Sequence, residues 1–257
     1  MVPAAFQAWQ LSPDWEWAFA LVLFGAWYLW ATHARFPAPW WRKLCFLLGL
    51  LMLAAAVVSP IEHVALRSML SFHLLQNVML ADWAPPLLVL GITAEMAAMA
   101  ERVALVRVAT RPVVAITYWL AVWYLVHIPA VYGYALHHYG VLGIEHLLFL
   151  TAGLAFWWPV LVPGRMPAGP RLLYLCAAFF LAAPVALIIA LARSTLYPFY
   201  DSTPHLWGLT PLDDQQIGGM LMAVEQSMIL FVAAAVAFIE LLADEDEPAP
   251  DTVGSAT

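Results

Sequence analysis

The chain has 257 residues, of which 64% are hydrophobic and only 11% charged, with 13 tryptophans and a mean hydropathy of +0.83. Apolar runs of about twenty residues exclude an ordinary soluble core and mark a polytopic membrane protein. A net charge of −7 leaves no basic face for nucleic acid. Two distant cysteines, Cys45 and Cys176, without CxxC spacing, indicate neither a disulfide framework nor a thiolate metal site.

In chain order, the apolar runs predict seven transmembrane helices, at 17–32, 43–59, 68–92, 112–128, 143–162, 171–193 and 216–243. No basic residue precedes His33 and no small-residue cleavage site follows a short apolar core, so the first helix is expected to stay as an anchor. The piece 94–106, broken by Glu95, Glu101 and Arg102, reads as an amphipathic interfacial helix. The expected architecture is a single all-α bundle over residues 1–243. The acidic, proline-bearing segment 244–257 is expected to be a disordered cytoplasmic tail.

Basic residues set the expected orientation, because loops rich in Lys and Arg stay in the cytoplasm. Arg35, Arg42, Lys43, Arg102, Arg107, Arg111, Arg165 and Arg171 all fall on one side, and only Arg67 and Arg193 on the other. This predicts an outer N-terminus and a cytoplasmic C-terminus. On that frame seven of the eight histidines lie outside: His63, His73, His127, His137, His138, His146 and His205. Asp213 and Asp214 precede the last span at the same level, with Met220 and Met222 slightly deeper.

Ionisable groups inside spans are costly and point to function. Histidines near loops can simply anchor helix ends at the headgroups, which suffices for His63, His137, His138 and His205. His73 lies about 8 Å below the start of its helix, deeper than anchoring explains. Met69, Gln76 and Asn77 share its face, giving a polar stripe aimed into the bundle. His127 ends its span ahead of Pro129, at about the level of His73. His146 has Glu145 beside it, but successive helical residues point about 100° apart, so one of the two would be an outer partner of the other's site. Imidazole suits copper, zinc and iron, which makes His73, His127 and His146 a candidate metal set. Asp82 and Glu225 lie about 20 Å and 15 Å from the outer ends of their spans. They read either as neutral acids bonded to a neighbouring helix or as a protonatable pair or inner ion position, and the two spans are expected to adjoin.

The strings SFHLLQNVMLADWAPPLLVLG, VHIPAVY, HHYGVLGIEHLLFLTAGLAFWWPVL, LYPFY and PLDDQQIGGMLM occur in this order between about residues 70 and 222. In that order they resemble the CtaG family of cytochrome c oxidase assembly proteins. The resemblance implies a seven-span accessory factor, without turnover chemistry, that serves delivery of copper to a haem-copper oxidase. His73, His127, His146 and Asp214 match the family's polar positions. The implied cargo is Cu(I), the implied partners are oxidase subunits and a periplasmic copper carrier, and the implied location is the lipid of the bacterial inner membrane. The chain departs from the family at Asn77, where a second histidine is typical, at Asp82, and at Ala223 and Glu225. Met69, His63 or Met220 would then complete a rebuilt site, or a structural role alone survives. Other classes compatible with the residues are a redox protein holding b-type haem between His73 and His127 or His146, and a structural subunit of a respiratory complex.

Overall fold

A computed structural model describes residues 15–246; the acidic tail from 247 onward lies outside them. The described residues form helices throughout, without strands. They are α1 (Trp15–Ala34), α2 (Trp40–Val57), α3 (Pro60–Arg67), α4 (Leu70–Val78), α5 (Ala84–Gly91), α6 (Ala94–Ala100), α7 (Ala104–Ala109), α8 (Pro112–Val126), α9 (Pro129–His137), α10 (Tyr139–Leu161), α11 (Ala168–Leu191) and α12 (Pro211–Asp246). Six segments are long and apolar enough to span a bilayer, and the pair α8 and α9, bent by 75°, makes a seventh when counted as one. Burial inside lipid requires backbone groups to be satisfied within the chain, which is what helical hydrogen bonding provides.

Proline accounts for the breaks. Pro129 cannot continue α8, which closes at its C-cap His127, and α9 leaves at a steep angle. Pro85 and Pro86 open α5, and the chain enters it through a π-helical turn, Met79–Trp83, that joins α4 to α5. Such insertions absorb an extra residue within a helix and often mark functional positions. Pro85 has no N–H for the Ala81 carbonyl, and that oxygen instead faces α10 at Gly153, where a Cβ would overlap it. Gly153 is thus the position that lets α10 lie against the bulge.

The segment 94–106 is two short helices rather than one. Thr93 caps α6, accepting from the Met96 N–H at 3.3 Å. The chain breaks at Glu101, whose carboxylate is drawn to the Trp158 indole at 2.8 Å and to Arg165 at 3.3 Å. The main core packs α11 on α12, α2 on α5, and α10 on both α5 and α8. Its large members include Trp119, Trp123, Trp157 and Phe156. Both cysteines are free.

Because the spans alternate in direction, the connections fall at two ends. The turn after α1, the α6–α7 region and the turn after α10 share one end, which carries most of the arginines. The α3–α4 junction, α9 and the loop between α11 and α12 share the other, which carries most of the histidines.

Candidate functional site

His73 sits in α4, and the start of that helix is fixed from outside. Met69 at its N-cap offers no side-chain cap. Asp214 of α12 takes over: its Oδ2 accepts from the Leu70 N–H at 2.6 Å and its Oδ1 from the Ser71 N–H at 3.2 Å. A carboxylate at a helix N-terminus satisfies orphan donors and complements the helix dipole. Gly218, one turn on, lets the two backbones approach, since a Cβ there would meet Ser71 Cα at 3.0 Å. Asp214 is fully buried, and His205 Nε2 lies 3.7 Å from its Oδ2. Each oxygen of Asp214 therefore already serves a backbone amide.

The His73 imidazole is 1% exposed, and its Nδ1 lies 3.0 Å from the Tyr200 hydroxyl. That hydroxyl donates to the Ala65 carbonyl at 2.7 Å. Its one proton is committed to a group that can only accept, so it accepts from His73 Nδ1–H, and His73 Nε2 carries the bare lone pair. The same logic fixes His127: Nδ1–H donates to the Trp123 carbonyl at 2.6 Å, leaving Nε2 bare. Both Nε2 atoms are buried without a hydrogen-bond partner among the described residues. Carbonyl or hydroxyl support behind one ring nitrogen is what orients an imidazole for a metal at the other.

Glu145 of α10 faces His73. Its Oε1, buried and likewise without a hydrogen-bond partner, lies 3.8 Å from His73 Nε2. The Tyr132 ring stands between the groups, 4.8 Å from the His73 ring, 6.5 Å from His127 and 4.6 Å from Tyr197. Tyr197 in turn donates to the His127 carbonyl at 3.0 Å.

His146 points elsewhere, as the angular offset along a helix requires. It lines an apolar cavity of about 200 Å³ between α1, α2, α5 and α10, with Trp17, Leu21 and Leu80. It remains near enough to His73 to interact electrostatically with it. Of the four expected ligands, the structure thus places His73 and His127 around Tyr132, His146 at the cavity between α1, α2, α5 and α10, and Asp214 at the α4 cap. Among the described residues no group of three or more His, Cys, Asp or Glu side chains is placed to hold a metal ion.

The rest of the polar stripe is buried too. Gln76 donates to the Ala56 carbonyl at 2.8 Å and to the Glu62 carboxylate. Asn77 is fully buried, and neither amide atom has a hydrogen-bond partner among the described residues. The Met69 sulfur accepts from the Leu206 N–H at 3.4 Å. Met222 is a core residue, whereas Met220 is 55% exposed and turned away from the interior. His137 and His138 are exposed and donate to the Gly133 and Tyr134 carbonyls.

Sequence reasoning passed over Tyr132 and Tyr200, although both stand in the strings VHIPAVY and LYPFY. The available signal was their aromatic character beside histidine and proline at one level of the bundle.

No curated protein and no solved structure matches this chain. Residues 21–244, nearly the whole bundle, match the cytochrome c oxidase caa3 assembly factor family (Caa3_CtaG). The chain belongs to this family of membrane proteins that assist assembly of cytochrome c oxidase.

Proposed function

We propose that the protein assists oxidase assembly by carrying Cu(I) transiently at the outer face of a bacterial inner membrane, on His73 and Glu145. It would receive the ion from a periplasmic carrier and pass it to an oxidase subunit, without catalytic turnover. One observation carries this reading: His73 Nε2 and Glu145 Oε1 are two bare, buried acceptors 3.8 Å apart. Two lone pairs that close repel unless a cation lies between them, and 3.8 Å is just under twice a metal–ligand bond of about 2 Å. The excess of arginine at the other end supports placing the histidine end outside. An open pair of ligands suits cargo, because a closed four-ligand site resists exchange.

Asp214 serves this site through position, by fixing the start of the helix that bears His73. His146, lining the neighbouring cavity, stands behind Glu145. A b-type haem ligated by His73 and His127 fits poorly, because the Tyr132 ring packed against both imidazoles fills the space a porphyrin would need.

The test is anaerobic Cu(I) titration of the purified protein against a competing chelator. One tightly bound equivalent is expected, lost in both His73→Ala and Glu145→Gln. Absence of binding in the unaltered protein sinks the proposal, and a Soret band in its absorption spectrum would replace it with the haem reading.

A further inference from the structure

Halfway along the bundle lies a second polar site, separate from the histidine end. Asp82, in the π-helical turn, is 1% exposed. The next residue, Trp83, donates its indole N–H to Glu225 Oε1 of α12 at 2.5 Å, which ties the turn to α12. The Trp119 indole of α8 lies beside the Asp82 carboxyl, itself 1% exposed. Three atoms here are buried with no hydrogen-bond partner among the described residues: Asp82 Oδ2, Glu225 Oε2 and the Trp119 indole nitrogen. Neither carboxyl makes an ion pair there. The carboxyls are near enough to act on each other electrostatically, and the Trp83 and Trp119 indoles stand beside them.

Two carboxylates in an apolar interior without a countercharge are prohibitively costly, so the pair must take up a cation. Calcium and magnesium need six or more oxygen ligands, and this site offers two free oxygens. A proton needs one atom to carry it and one to accept from it, which is the number present. We propose that Asp82 and Glu225 form a proton-binding site at mid-depth, sharing one proton between Glu225 Oε2 and Asp82 Oδ2. The O–H on one carboxyl donates to the other, and the Trp83 N–H bears on the remaining charge through Glu225 Oε1. The bulge is what brings Asp82 and Trp83 together toward α12 and α8. The site is independent of copper handling.

A groove of about 480 Å³ opens beside Glu225, lined by Trp83, Leu221, Val224, Met228 and Val232. Val224, Met228 and Val232 are exposed apolar residues on the lipid-facing surface of a span, so an apolar reagent can reach the carboxyl. The full-length protein in detergent is treated with dicyclohexylcarbodiimide at neutral pH, which adds only to a protonated carboxyl, and adducts are mapped by mass spectrometry. An adduct at Glu225 or Asp82 is expected, and Glu225→Gln removes it. Infrared spectra of the untreated protein supply a measurement that needs no variant: a protonated-carboxyl C=O band that shifts in deuterium oxide. Asp82→Ala moves that band to higher frequency, because the hydroxyl loses its acceptor. Lack of both adduct and band overturns the proposal. A band unmoved by Asp82→Ala overturns the sharing, and protection from the reagent by sodium at fixed pH overturns the proton in favour of a metal cation.

Discussion

The two ends of the bundle handle buried polarity in opposite ways. At the arginine end the acceptors are met by strong donors: Arg42 donates to the Leu90 and Ile92 carbonyls at the end of α5, Arg165 and Trp158 converge on Glu101, and Arg171 pairs with Glu240, leaving only donors, such as Arg171 Nε and the Trp157 indole, buried without a partner among the described residues. At the histidine end specific bonds support the imidazoles and α4, yet acceptors are left over. Tyr200, the Trp123 carbonyl and Asp214 hold His73, His127 and α4 in place while His73 Nε2, His127 Nε2 and Glu145 Oε1 stay bare. One end is locked by its hydrogen bonds, and the other uses them to present acceptors. Buried acceptors left unpaired cost free energy and persist where something else is meant to satisfy them.

This contrast can be broken by substitution at either end. The largest expected effect is at the bare atoms: His73→Ala abolishes Cu(I) binding in a chelator competition, whereas Arg165→Ala at the locked end leaves it unchanged. Next comes the support behind the imidazole. Tyr200→Phe frees the Nδ1–H and loosens the ring, which lowers Cu(I) affinity by about 10- to 100-fold with the helix content intact by circular dichroism. In the opposite direction, Asn77→His removes a buried unpaired amide and adds an imidazole one helical turn from His73; affinity is expected to rise at least about tenfold in the same titration, the equivalent of about 1.4 kcal/mol. Asp214→Ala leaves two amides of α4 without acceptors and costs about 1–2 kcal/mol in thermal unfolding, with a parallel loss of affinity. The smallest effect belongs to the locked end: Thr93→Ala removes the α6 cap, costs about 0.5–1 kcal/mol by the same melt, and leaves copper binding unchanged. A Thr93 variant that weakened copper binding would show that the two ends are coupled.

Much of the fold is legible in the sequence because its causes are local. Span length and apolarity follow from bilayer thickness, and the breaks at Pro129 and at Pro85–Pro86 follow from a missing N–H. The adjacency of the Asp82 and Glu225 spans was also foreseeable, since isolated carboxyls at that depth need company. The π-helical form of the break is not legible, because it depends on the close approach of Gly153 to the bulge. Nor is the division of 94–106 into two helices, which turns on the remote Trp158 and Arg165 gripping Glu101. At the site, helical spacing says that Glu145 and His146 cannot both face one ion. Which one does so depends on the rotation of α10, fixed by its packing on α5 and α8.

The sequence by itself determined a membrane bundle of known span positions, its family strings, and the level at which the histidines gather, because hydropathy and helical rise need no partner. Only the tertiary structure decided which nitrogen of each imidazole is bare, that Glu145 rather than His146 stands against His73, and that Asp214 is committed to the cap of α4. Those outcomes depend on a carbonyl, a hydroxyl and two amides, three of the four partner groups coming from elements more than a hundred residues away from the side chain they meet, and no local pattern records such pairings.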